Sequence, residues 1–274
     1  MILVSCRKDF DNTRAFAPQN LIREYPALPN LDAFAELHAD DLAERMQGHH
    51  VLFLIHGFRN PLASVASAYQ RVARGLAGID AVGDAGYGLI VGFVWPGFAT
   101  PAGFFPAVPF ANRSAGFFRA MLELASRNGR TVDVQTHSLG ARVALQALAG
   151  QTDGFVDNLM ITAPAVDDEV LEPRREFHAA LTLSRRCLVY HSDKDKTLRF
   201  AFRIGDAPEF DRALGWKGPQ HRDVIAAECP DVFVIDCRRA IASHGGYRSS
   251  DRYYEHWSRI VREEPLAQFD ALKP

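Results

Sequence analysis

One serine lies where an apolar strand pattern turns sharply into a helical one, a position suited to nucleophilic chemistry. The run Val132–Thr136 is followed within two residues by Ser138, and an alanine-rich helical pattern begins directly after it. This order of elements holds a serine hydroxyl above the strand ends, beside the unpaired N–H groups of a helix N-terminus. Gly140 is small enough for strand and helix to approach, whereas Thr136 stands where the usual G-x-S-x-G pattern has glycine. The pattern predicts a nucleophile at Ser138, and the alternative is a serine that only caps the helix.

A second chemical feature lies upstream, where the strand pattern Val51–Ile55 ends in His56, Gly57 and Phe58 immediately before a helical pattern. Glycine at this place allows backbone N–H groups to face a site. The other interpretation is an ordinary strand-end turn in which the histidine hydrogen-bonds to the backbone. The position favours a site, because this turn and the Ser138 turn are separated by one further strand pattern that ends in Val94-Trp95-Pro96.

Taken together, these segments resemble the α/β-hydrolase superfamily, and within it a branch of largely uncharacterised serine hydrolases. The resemblance covers roughly residues 50 to 250 and is specific for the fold rather than for the substrate. It rests on Leu54-Ile55-His56-Gly57-Phe58, Val94-Trp95-Pro96, the stretch from Thr136 to Val143, and Ala163-Pro164. It implies that the backbone N–H groups of Phe58 and Leu139 form an oxyanion hole.

The resemblance also implies an acid after the serine, at the end of a later strand. The loop that follows the apolar run Cys187–Tyr190 contains Asp193 and Asp195. Asp195 fits the superfamily better, because a few residues separate it from the strand and an apolar residue follows; Asp193 is the alternative. A third possibility is Asp167 or Asp168, one strand earlier.

The last partner is a histidine, and His244 is the best candidate for the general base. It follows the final strand pattern, Val232–Ile235, and the adjacent Gly245 suits a loop that folds back over the serine. His221 precedes that strand, and His256 lies inside a helical pattern where a packed or solvated role is expected. The predicted triad is therefore Ser138, Asp195 and His244.

These residues predict a serine hydrolase that cleaves a carboxylic ester, or a related acyl bond, of a small to medium substrate through an acyl-enzyme on Ser138. No cofactor or metal is expected. Apolar residues after the strand pattern Leu89–Trp95, most of them aromatic, are candidates for an acyl pocket or, equally, for core or lid packing: Phe98, Phe104, Phe105, Val108 and Phe110. The alternatives are a lipase or acyltransferase acting on lipid, and a non-catalytic binding protein with this fold.

The elements that must position these residues follow an alternating pattern of strands and helices, which predicts a parallel sheet with crossover helices. We expect an α/β fold, a three-layer sandwich with a mostly parallel central sheet and helices on both faces. We expect one domain over residues 1–274, with short lid-like insertions around 96–112 and 199–229. The strand patterns are Val51–Ile55, Leu89–Trp95, Val132–Thr136, Leu159–Ala163, Cys187–Tyr190 and Val232–Ile235.

Composition limits the class of partner. The chain has 31 basic and 33 acidic residues and a net charge of −2, so no positive field draws in nucleic acid. A small-molecule acyl substrate is the expected partner. The four cysteines lack metal-type spacing and are expected to be reduced and mostly buried. With no apparent signal peptide and no apolar run of about 18 residues, no transmembrane segment and a cytoplasmic location are expected.

Overall fold

The computed structural model describes residues 1–97, 104–150, 156–201 and 212–273. In this part of the chain ten strands form one sheet. They are β1 (Ile2–Arg7), β2 (Phe16–Glu24), β3 (Ala35–Leu37), β4 (His50–Ile55), β5 (Leu89–Val94), β6 (Thr131–His137), β7 (Val156–Thr162), β8 (Ser184–His191), β9 (Val232–Asp236) and β10 (Phe269–Ala271).

The sheet is parallel over most of its width. Its strand order is β10-β9-β8-β7-β6-β4-β5-β1-β2-β3, and only the β1–β2 and β2–β3 pairs are antiparallel. The six predicted strands are all present and form the contiguous block from β9 to β5. Their near-continuous burial explains why they read as apolar runs without alternation.

Eight α-helices accompany the sheet in the described residues. They are α1 (Ala39–Met46), α2 (Leu62–Ala77), α3 (Phe104–Asn128), α4 (Gly140–Ala149), α5 (Lys196–Ala201), α6 (Leu214–Lys217), α7 (Arg222–Glu228) and α8 (Asp251–Val261). Two 3-10 turns cover His178–Leu183 and Gly246–Ser249.

The helices pack in two groups, one on each face of the central sheet, which makes the expected three-layer sandwich. The helix α3 packs against α1 and α4, whereas α2 packs against α8 and the second 3-10 turn. No helix among the described residues has the length and apolar character needed to cross a membrane. All four cysteines are buried and carry free thiols.

Several local expectations differ from the structure. The helix α2 begins at Leu62 with Pro61 as its N-cap, although an Asn-Pro pair such as Asn60-Pro61 predicts that the asparagine caps the helix. The segment around 96–112, where a short lid-like insertion is expected, is helical from Phe104 onward. The antiparallel edge of the sheet, β1 to β3, was not predicted, because β2 mixes polar and apolar residues without a clear period.

Candidate active site

Ser138 lies in a sharp turn at the end of β6, with a φ of 57° that L-residues seldom adopt. Tertiary contacts hold it there: its N–H donates to the Thr162 carbonyl at 3.0 Å, and its carbonyl accepts from the Ala165 N–H at 3.2 Å. The N-cap of α4 is Leu139, without a side-chain cap. Ser138 is therefore not the N-cap of α4, which was the alternative to a nucleophile. A strained backbone of this kind is typical of functional sites.

The turn is packed so closely that two glycines are sterically required. A Cβ on Gly57 would lie 2.8 Å from the Ser138 Cβ, and a Cβ on Gly140 would lie 2.6 Å from the His56 carbonyl oxygen. Real Cβ atoms essentially never approach so closely, so the loop after β4 and the start of α4 need these glycines. The Phe58 N–H directly follows this contact in the chain. Within the described residues, the Leu139 N–H makes no hydrogen bond.

Thr136 was the residue that departed from the usual pattern, and the fold accommodates it without opening the turn. It is fully buried in β6, paired in register with Ile55 on one side and Ile161 on the other. Its carbonyl accepts from the Thr162 hydroxyl at 2.6 Å. Thr136 is thus buried within a regular strand while Ser138, two residues later, still adopts the left-handed conformation.

An acid and a histidine meet beside this turn. The His244 Nδ1 and the Asp195 Oδ2 lie 2.7 Å apart, and the Asp195 side chain is only 1% exposed. The other carboxylate oxygen of Asp195 accepts from the Leu198 N–H at 3.1 Å, at the first turn of α5. Because each oxygen has its own donor, the carboxylate is fixed in orientation, and the proton shared with His244 belongs on Nδ1.

The alternative acids and bases have other partners. Asp193 is one-third exposed and faces Lys217 and Arg238 at 4.0 and 3.7 Å. Asp168 pairs with Arg212 at 3.0 Å, and burial raises its pKa to about 6.

The two competing histidines are also engaged elsewhere. His221 pairs with Glu172 at 2.9 Å, and this partner raises its pKa. His256 is packed in α8 with its Nδ1 3.0 Å from the Tyr190 hydroxyl. Among these candidates the structure brings together Asp195 and His244.

His137 links the histidine loop to the serine turn. Its Nε2 lies 2.8 Å from the His244 carbonyl oxygen, and the two rings are 4.6 Å apart. A carbonyl can only accept, so His137 Nε2 carries the proton. Burial, and after it the positive charge of Arg248, lowers the pKa of His137, which keeps the ring neutral. The residue next to Ser138 therefore fixes the backbone of His244.

His56 organises the loop after β4 in a comparable way. Its Nε2 accepts from the Trp95 N–H at 3.1 Å, so its Nδ1 is the donor to the Gly57 carbonyl at 2.6 Å. Burial lowers its pKa well below the ordinary range, and Arg7 adds to this shift. His56 therefore hydrogen-bonds to the backbone at the strand end, and these hydrogen bonds fix the loop that carries Phe58.

Two polar residues that the sequence did not single out hold the same loop. The Asn60 side-chain amide donates to the carbonyls of Gly57 and Phe58, both at 2.9 Å. Arg7 is completely buried at the end of β1 and donates to the Asn60 carbonyl at 2.7 Å. The sequence feature that could have pointed to Arg7 is its position as a charged residue directly after the apolar run at the N-terminus.

The predicted aromatic pocket is only partly within the described structure. Phe98 lies outside the described residues, as do the side chains of Phe104 and Phe105. Phe110 is half-buried in α3 and stacks on Phe16 of β2, with ring centroids 5.5 Å apart. Phe110 therefore packs against β2. That the predicted residues line an acyl pocket stays a prediction.

The groups that could react at this site are the Ser138 hydroxyl, the His244 imidazole and the Asp195 carboxylate. Across the described ranges, no group of three or more histidine, cysteine or acidic side chains is arranged to hold a metal ion. The arrangement can take a proton from a hydroxyl and stabilise the resulting imidazolium.

A mostly parallel sheet in three layers, with a serine in a strained turn between β6 and α4, defines the class as an α/β hydrolase. A comparison with protein families agrees. The family model described as an alpha/beta hydrolase of unknown function (DUF900) matches residues 33–223. The chain belongs to this family, and it is a hydrolase.

Among solved structures, the chain is similar to one described as a truncated form of a carbohydrate esterase from gut microbiota. The two are 12% identical with a TM-score of 0.47, and the match covers 92% of this chain and 93% of that one. The comparison with curated proteins found no significant match.

Proposed function

We propose that this chain is a serine hydrolase that cleaves a carboxylic ester through an acyl-enzyme on Ser138. The observation that carries the proposal is the 2.7 Å contact between His244 and the buried Asp195, in a loop that His137 ties to the Ser138 turn. A buried carboxylate that orients a histidine beside a strained serine is the arrangement that activates a hydroxyl for attack on an acyl carbon.

In this mechanism Asp195 keeps the His244 proton on Nδ1, which leaves Nε2 free to act as a base. His244 takes the hydroxyl proton of Ser138 as Oγ attacks the carbonyl carbon, and Asp195 stabilises the imidazolium. The N–H groups of Leu139 and Phe58 hold the oxyanion, each contributing about 3 kcal/mol in the transition state. His244 then gives the proton to the leaving alkoxide, and water releases the acyl group by the reverse sequence.

Covalent labelling with a fluorophosphonate, combined with turnover of p-nitrophenyl esters, tests this proposal. We expect wild type to label, and Ser138→Ala neither to label nor to turn over ester. A wild-type protein that is folded yet does neither would refute the proposed serine mechanism on esters. The ratio of rates on short and long acyl chains separates a small-ester hydrolase from a lipid-directed enzyme.

The identity of the acid has a matched pair of variants. Asp195→Asn should lower kcat by about four orders of magnitude, because an amide favours the wrong histidine tautomer. Asp193→Asn, two residues away in the same loop, should leave kcat within about threefold, because an exposed ion pair contributes little. Equal losses in the two variants would contradict the assignment of Asp195.

A further inference from the structure

A cleft lies on the α2 face of the molecule, between α2, the 3-10 turn Gly246–Ser249 and the start of α8. Its volume is about 650 Å³, and it is lined by Arg71 and Arg74 of α2 and by Arg248 of the turn. The two α2 residues are three positions apart and therefore lie on the same side of that helix. The cleft is thus defined by three arginines from two elements.

Among the described residues, these arginines have no anionic partner. Within the part of the chain that the structure describes, none of the three guanidinium groups makes a hydrogen bond or an ion pair. Arg248 is half-buried beside Arg71, and burial followed by the Arg71 charge lowers its pKa. Burying one cation next to another costs free energy unless an anion compensates them.

Acidic residues of the cleft do not supply that compensation. Glu255 is engaged by Arg252 at 2.9 Å, so its charge is already balanced. Asp251 also lines the cleft, and within the described residues it forms no ion pair with the three arginines. Within the described ranges, the three arginines of the cleft therefore face one carboxylate, Asp251, that pairs with none of them.

The frame of the cleft is fixed by one tyrosine. The Tyr254 hydroxyl lies 3.4 Å from the Arg71 carbonyl oxygen and 3.2 Å from that of Arg248. Its ring packs so closely on α2 that a Cβ at Gly75 would lie 2.0 Å from a ring atom. Because the two backbones are held together, Arg71 and Arg248 are presented to a ligand with little freedom to separate.

We propose that this cleft binds the phosphoryl group of a small phosphorylated molecule through Arg71, Arg74 and Arg248. A phosphoryl group carries up to two negative charges on three outer oxygens, and guanidinium forks bind such oxygens in pairs. The side chain of Ile79 also lines the cleft and offers an apolar surface for the organic part of the ligand. Ser138, Asp195 and His244 do not line this cleft, so phosphate binding can be measured separately from the ester chemistry proposed for Ser138.

Calorimetric titration with inorganic phosphate, pyrophosphate and phenyl phosphate tests the proposal, at constant ionic strength set with sodium chloride. We expect saturable binding to wild type, tighter for pyrophosphate or phenyl phosphate than for phosphate. Arg71→Gln and Arg248→Gln should each weaken binding at least about tenfold, because each removes charge-assisted hydrogen bonds. Asp251→Asn should tighten binding, because it removes the unpaired carboxylate from the cleft.

The exposed Arg262 at the other end of α8 provides the matched control, and Arg262→Gln should bind as wild type does. Arg71→Gln and Arg74→Gln change exposed side chains, so they report on the site even if Arg248→Gln fails to fold. Absence of saturable binding to wild type would overturn the proposal. So would binding that Arg71→Gln, Arg74→Gln and Arg262→Gln all leave unchanged.

Discussion

Replacing Arg7 with methionine tests how the loop that carries Phe58 is held. The buried guanidinium donates to the carbonyls of Trp95, Phe10 and Asn60 at 3.0, 3.1 and 2.7 Å, so one side chain ties together the segments after β5, β1 and β4. Methionine fills much of the same volume but donates no hydrogen bond. The substitution therefore removes three hydrogen bonds while keeping most of the packing.

The size of the effect follows from these contacts. A buried acceptor that loses its donor costs about 1–3 kcal/mol of stability. The loss of all three donors therefore costs at least about 3 kcal/mol. Burial lowers the pKa of Arg7 to about 10, which means that desolvation of the charge already offsets part of its contribution. We therefore expect a loss of about 3 kcal/mol in the free energy of unfolding. For a chain of 274 residues this lowers Tm by about 5 °C.

The same variant should impair catalysis on esters. The Asn60 carbonyl would lose its donor, and Asn60 in turn holds the carbonyls of Gly57 and Phe58. A displaced oxyanion donor costs about 10²- to 10³-fold in kcat when it is lost completely, so we expect a loss of at least about tenfold here, with a smaller change in KM.

Calorimetry and steady-state kinetics below the lowered Tm measure the two effects separately. Arg45→Met is the control, because Arg45 lies on the surface of α1 in an exposed ion pair with Glu24 and should change neither quantity by much. Arg7→Lys should recover part of the stability through a single donor. If Arg7→Met kept wild-type kcat while losing stability, the loop would be held by other contacts and the reasoning would be refuted.

Further predictions concern the serine turn and acid stability. Gly57→Ala should abolish fluorophosphonate labelling, because its Cβ would lie 2.8 Å from that of Ser138, and normal labelling would contradict the required close approach. Gly140→Ala should lower Tm by several degrees in a thermal melt, since its Cβ would lie 2.6 Å from a backbone oxygen that cannot move freely. Burial lowers the pKa of both His191 and His256 from 6.5 to about 4, so the unfolded chain takes up these protons first. The contribution of the two histidines to the free energy of unfolding is complete above pH 6.5 and is lost as the pH falls towards 4, by up to about 3 kcal/mol each. Urea unfolding at several pH values measures this loss. A free energy of unfolding that stays constant between pH 7 and 4.5 would contradict the prediction.

The sequence by itself determined the central sheet and the serine turn. Strands such as β4 and β6 are buried on both faces, so each appears as a short apolar run, and the alternation with helical patterns requires parallel pairing. The position of the turn at Ser138 is also encoded locally, by a strand pattern, a serine and Gly140 within a few residues, whereas contacts with Thr162 and Ala165 hold its geometry. These features depend on near neighbours in the chain, which a pattern can report.

Only the tertiary structure decided which groups meet. Asp193 and Asp195 lie in one loop and are chemically alike, and the difference between them arises from the burial of Asp195 beside a histidine 49 positions away. The role of Arg7 has the same origin, since its carbonyl partner at Asn60 is 53 positions distant. Contacts of this range depend on how β1, β4 and β8 are placed in the sheet, and no local period carries that information.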